Sequence, residues 1–254
     1  MTEPSELDAR ADTAAASVQA IFGKRLLGLP GTWLPTVAGP GRRIWRGPWH
    51  YWWHAHVIDA LLDQAEREQA TGRHADATYA VRRATALLRT VRLRNLGIFT
   101  NHYYDDMAWI VLAAHRLDQI GGPKRLPRSA GRAIAPRLRR GDTPDLGGGV
   151  YWNDHHAFKN APATGPAALH FARIGETERA RRLLAWVHDD LHDEQTGLVI
   201  DGLRPGPTPE SPPQRIELLF TYNQGTVIGA LVELGDEASM TEAARLIRAT
   251  REHL

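Results

Sequence analysis

The chain has 254 residues and no cysteine, which excludes a disulfide framework, a thiolate nucleophile and any Cys-ligated metal centre. Lys and Arg number 31 against 29 Asp and Glu, so the formal charge of +2 singles out no polyanionic partner, nucleic acid included. A chain this long buries a sizeable core without staples.

The first helix is predicted over residues 5–22. It mixes acids with Ala, and the first twenty residues hold no apolar run of the length a signal peptide or membrane span requires. As written, the sequence predicts a cytoplasmic protein with no membrane partner, or a secreted one if the true N-terminus lies further upstream.

The second helix, 52–69, opens on Tyr51 in the run YWWHAH. His50 and His54 are four apart, yet the helix starts inside the block and no HExxH pattern occurs, so polar-aromatic histidines are expected and no metal. Helix 75–93 is Arg-rich and amphipathic, the pattern of an outer layer.

Helix 104–118 opens on YYDDMAW. Asp105 and Asp106 repel each other, and a helix N-terminus lowers an acid's pKa while burial among Tyr103, Tyr104 and Trp109 raises it. The pair is expected to divide into one ionised and one protonated carboxyl, the state glycoside hydrolysis uses. The bland alternative is one capping Asp and one solvated Asp. A diphosphate–magnesium motif is set aside because Trp109 stands where a third acid belongs.

Between Gly121 and Gly141, around helix 128–139, lie seven Lys or Arg and no acid. Without interleaved aromatics this reads as a solvated face, not a nucleic-acid site. Gly147, Gly148 and Gly149 then form a tight turn expected to bring backbone close to ligand. The next block, YWND from Tyr151 and on through Lys159 and Asn160, leads into helices 162–173 and 176–191. A short strand pair is predicted in DEQTGLVIDGL, followed by a proline-rich loop that cannot be helical. The last block, Tyr222-Asn223-Gln224, offers an aromatic face and two amides suited to sugar hydroxyls, and opens helix 223–234 ahead of helix 239–252.

The aromatic-polar openings at Tyr51, Tyr103, Tyr151 and Tyr222 are spaced by 52, 48 and 71 residues. An interval of about 50 is one helical hairpin, and the longer one carries the strand and proline insertion. Stacked hairpins would bring all four openings to one rim. Hydrophobic staples explain aromatics at helix starts, but not the Asp, Asn, His and Gln beside them.

The blocks NHYYDDMAWIVLA, GGGVYWNDHHAFKNAPATGPAAL and FTYNQGTVIGALVEL together resemble glycoside hydrolase family 76, the endo-α-1,6-mannanases, over roughly residues 20–240. The resemblance implies an all-α fold of the (α/α)6-toroid, six-hairpin glycosidase type in one domain over 1–254. It implies retaining hydrolysis of α-1,6-linked mannan or mannooligosaccharides without a cofactor. Asp105 matches the family's nucleophile and Asp106 its general acid/base. Tyr103, Tyr104, Trp152, Asn153, Tyr222, Asn223 and Gln224 match the cleft lining, with Trp53 and His56 as weaker matches. Lys159 and Asn160 either position hydroxyls or tie the rim together. Nine predicted helices fall short of the twelve in a closed ring, so an incomplete toroid is expected, with a homodimer as one way to close it. The alternatives are a noncatalytic or degenerate mannan-binding protein and another toroid sugar enzyme, such as an epimerase or an unsaturated-uronyl hydrolase.

Overall fold

The computed structural model describes residues 6–34, 49–121, 123–208 and 210–254. Among them are nine α-helices and three short strands: α1 (Glu6–Phe22), α2 (Tyr51–Ala70), α3 (His74–Arg94), α4 (Tyr104–Gln119), α5 (Arg125–Gly141), β1 (Lys159–Asn160), α6 (Ala161–Arg173), α7 (Thr177–Leu191), β2 (Ile200–Arg204), β3 (Gln214–Leu219), α8 (Thr221–Leu234) and α9 (Glu237–His253). No described helix is long and apolar enough to cross a membrane. The chain groups into two compact units, residues 1–100 with 109–133, and residues 101–108 with 134–254.

In the first unit α2 and α3 form a helical hairpin. Ile58, Leu61, Leu62 and Ala65 recur at helical spacing on α2, and Ala80, Ala84, Leu87, Leu88 and Val91 do so on α3; all are buried. Gly72, at φ +78°, supplies the left-handed residue that ends α2, with Arg73 N–H returning to Glu68 O at 2.8 Å. No residue of α1 is buried; the helix is tied to α2 by Arg67, which pairs with Asp8 and Asp12. Arg128, from the basic stretch, pairs with Asp118 at 3.1 Å.

In the second unit α6 is the central element, with every residue from Ala161 to Phe171 buried. It packs on α7 and α8, and α8 packs on α9. Asn160 caps α6 by accepting Ala163 N–H at 3.2 Å, and Asp236 caps α9 by accepting Ser239 N–H at 3.1 Å. The strands form an antiparallel sheet in the order β1-β2-β3.

The strand pairing corrects the sequence expectation. No strand pair forms inside the DEQTGLVIDGL stretch: it supplies most of β2 and the Val199 half of an isolated bridge to His192, and the hairpin pairs β2 with β3 across the proline-rich loop. Pro205, Pro207, Pro212 and Pro213 lack the N–H a ladder needs, so pairing resumes only after them, at Gln214.

Candidate active site

The site grows from the start of α4. Residues 102–104 run antiparallel to 152–154: Tyr104 N–H donates to Trp152 O at 2.8 Å, Asp154 N–H donates to His102 O at 3.1 Å, and Tyr103 bridges Asn153. This short ladder fixes where the helix begins and brings the second and third aromatic blocks together. His102 Nδ1 lies 2.7 Å from Asp154 Oδ2, a side-chain tie across the same ladder.

Asp105 is half-buried, with both carboxylate oxygens engaged. Oδ1 accepts Asp106 N–H at 2.7 Å and Oδ2 accepts the Trp152 indole N–H at 2.9 Å. Burial and the neighbouring Asp106 charge push its pKa up to about 7, outweighing the hydrogen bonds that lower it. Asp106 is buried, and its Oδ2 accepts Asn101 Nδ2–H at 3.0 Å. Asn101 also accepts Tyr103 N–H through Oδ1 at 2.9 Å, so one amide shapes the turn and orients an acid. Asn101 was not among the expected site residues; its signal in the sequence is an Asn placed just before a helix start. The chain's other aspartate doublet, Asp189 and Asp190, lies at the C-terminal end of α7, where the helix dipole disfavours carboxylates.

Tyr103, Trp152 and Tyr222 are 38%, 38% and 42% exposed, which makes them the aromatic faces open to a ligand around this pair. Tyr103 and Trp152 meet edge-on with centroids 5.2 Å apart, and Tyr222 stacks on Phe220 at 4.9 Å. Burial raises the Tyr222 pKa to about 12, helped by the charges of Asp201 and Asp105, so its hydroxyl stays protonated and shares their field.

Tyr104, Asn153, Lys159 and Gln224 are built into the scaffold. Tyr104 is buried with its ring against Gly141, where an added Cβ would come within 2.9 Å. Asn153 is buried and accepts His155 N–H at 3.1 Å. Lys159 is fully buried and donates to the carbonyls of Thr143, Asp145 and Gly148 at 2.7, 2.6 and 2.7 Å; burial lowers its pKa to about 8. Gln224 binds both backbone groups of Val199, accepting its N–H at 2.9 Å and donating to its carbonyl at 2.8 Å. The glycine turn is pressed against protein: a Cβ on Gly149 would stand 2.4 Å from the Trp186 ring.

Trp53 and His56 lie on α2 in the first unit, where the His56 ring sits 4.8 Å from that of Trp109 and Trp53 meets His50 edge-on at 4.6 Å. His54 is buried, with Nδ1 2.7 Å from His50 O. Among the described residues no group of three or more His, Asp or Glu is arranged to hold a metal ion.

An acid pair at a helix start, with one carboxyl titrating near neutrality among exposed aromatic faces, defines a site of the glycosidase class. The chain belongs to glycosyl hydrolase family 76, whose profile it matches over residues 7–254. Among solved structures it is similar to the GH76A α-1,6-mannanase of Salegentibacter sp. HEL1_6, at 25% identity and a TM-score of 0.76 over 94% of this chain and 69% of that one. An inactive variant of that enzyme, with two consecutive aspartates changed to asparagine and α-1,6-mannotriose bound, matches at 24% identity over the same shares and the same TM-score. The Lin0763 protein of Listeria innocua matches at 25% identity and a TM-score of 0.76, over 96% of this chain and 70% of that one. These likenesses carry the all-α, toroid-type fold class expected from the sequence. No curated protein sequence matches the chain.

Proposed function

We propose that this chain hydrolyses α-1,6-mannosidic linkages of mannan-type glycans with retention of configuration, Asp105 acting as nucleophile and Asp106 as general acid/base. The carrying observation is the Asp105–Asp106 pair: one carboxyl is held by Trp152 and the other by Asn101, beside three exposed aromatic faces. The substrate follows the similar Salegentibacter enzyme, which loses activity when two consecutive aspartates are neutralised.

The pair shares one proton; in the first step, from the state in which Asp106 carries it, an Asp105 oxygen bonds to the anomeric carbon, the glycosidic C–O bond breaks, and Asp106 gives that proton to the departing oxygen. In the second, Asp106 takes a proton from water, whose oxygen displaces Asp105 and releases the sugar. The dyad then again holds one proton. Tyr103, Trp152 and Tyr222 supply the stacking surfaces a pyranose uses.

Incubation with linear α-1,6-mannan tests this: short mannooligosaccharides are expected, and Asp105→Ala or Asp106→Ala should abolish their release without unfolding the chain. Product formed by both variants at the parent rate removes the assignment. A second reading, sugar binding without turnover, draws on the chain spanning about 70% of the length of the solved structures it matches. Calorimetric binding of mannotriose with no product would select it.

A further inference from the structure

We propose that Asp201 is a third acid of this site, a substrate-binding carboxylate that, with the Asn223 amide, holds hydroxyl groups of the sugar bound beside Asp105. The inference rests on the glycosidase reading above and adds a residue to it.

Asp201 is the second residue of β2, between Ile200 and Gly202, both buried on one face of the strand. The pleat turns its side chain to the opposite face, toward the first turn of α8. The β2–β3 ladder shifts register between Ile200 and Gly202, the kind of irregularity that re-aims a side chain. The strand itself is rigidly seated, since a Cβ on Gly202 would come within 2.2 Å of Lys159 O.

Facing Asp201 is Asn223, fully buried and adjacent to the exposed Tyr222. Its Nδ2 stands 3.5 Å from Asp201 Oδ1, too long for a strong bond to a carboxylate. Its own Oδ1 is buried without a hydrogen-bond partner. A pair built only to support the fold would close that gap and would not leave an amide oxygen unpaired at the usual cost of about 1–3 kcal/mol. Asp201 is also withdrawn from water, which holds its pKa above the ordinary carboxylate range.

A sugar hydroxyl both donates and accepts, so neighbouring hydroxyls can donate one hydrogen bond to Asp201 and another to Asn223 Oδ1. A cation could take Asp201 and Asn223 Oδ1 but would leave the Asn223 N–H groups unused, and among the described residues no group of three or more His, Asp or Glu is arranged to hold one. The position fits the reacting sugar, because β2 pairs with β1, whose Lys159 bridges Tyr151, the neighbour of the Trp152 that holds Asp105; the Tyr222 hydroxyl also lies in the fields of both Asp201 and Asp105.

The test is calorimetry of α-1,6-mannotriose, and of mannotrioses each lacking one hydroxyl, on the Asp105→Asn/Asp106→Asn chain with and without Asp201→Asn. The expected result is at least tenfold weaker mannotriose binding with Asp201→Asn. One deoxy sugar should also lose tenfold on the background chain and nothing further once Asp201 is changed. Asp201→Ser gives the same reading if the Asn variant melts early. Equal binding within twofold, or an equal penalty for every deoxy sugar on both chains, overturns the role of Asp201 and leaves the glycosidase reading standing. Failure of the background chain to bind any of the sugars overturns the substrate reading and this assignment with it.

Discussion

The indole N–H of Trp152 donates to Asp105 Oδ2 at 2.9 Å, so an aromatic ring exposed for stacking also anchors a carboxyl of the reacting pair. The donor favours the ionised carboxyl, and its loss should raise the Asp105 pKa further. Trp152→Phe keeps the ring and deletes the N–H. Hydrogen bonds to charged groups are worth about 1.5–3 kcal/mol, so kcat/KM on mannotetraose should fall roughly 10- to 100-fold. Parent-like kinetics in this variant would show that the contact does not matter to turnover.

The pH dependence follows from which proton is being lost. The Asp105 value of about 7 includes repulsion from an ionised Asp106, so it describes loss of the dyad's last proton, a property of the pair. Double displacement requires one proton on the pair. Activity should therefore fall as pH rises through about 7, with kcat/KM dropping tenfold per unit above it. Initial rates between pH 5 and 9 check this, and a plateau extending to pH 9 contradicts it.

Helix positions and the acid pair were legible in the sequence, because apolar residues at helical spacing and an acid doublet after two tyrosines are local patterns. What the polar residues of the blocks touch was not. Gln224 stands in a motif that reads as sugar-facing and Lys159 in one that reads either way, but the donors of both are spent on carbonyls supplied by distant loops. Nothing in the spacing separates the two uses. Asp201 is a lone acid in an apolar strand, a pattern with no local signal of a site; only the fold sets it opposite Asn223. The strand partner of β2 was misplaced because period-two patterning gives no account of how far a proline loop reaches before pairing resumes.

Lys159 is expected to be a stability residue. Its ammonium satisfies three carbonyls of the loop ahead of Tyr151, and Lys159→Met would leave them buried and unpaired. Each unpaired group costs about 1–3 kcal/mol, partly relieved by water entering the loop, so a loss of roughly 3 kcal/mol is expected. At about 2–4 °C per kcal/mol for a chain of this size, the melting temperature should drop by roughly 10 °C. A melting curve within 2 °C of the parent, by circular dichroism, would place those carbonyls in water and end this account of the loop.

Asp105 should also make the protein less stable in alkali. The last proton of the Asp105–Asp106 pair leaves at about 7, above the unfolded Asp value of 3.8, so the native state binds that proton between the two values. Stability from this group is therefore fully present below pH 3.8 and is lost as pH rises through about 7. Asp105→Asn removes the ionisation. At pH 4 the variant and parent should melt alike, since an amide and a protonated carboxyl each meet the two donors with one acceptor and one N–H or O–H group. At pH 8 the inactive variant should be the more stable by about 2 kcal/mol, less than the full shift implies because the group is only half-buried. Thermal melts of both chains across pH 4 to 8 measure the divergence, and parallel curves would mean that Asp105 ionises without cost to the fold.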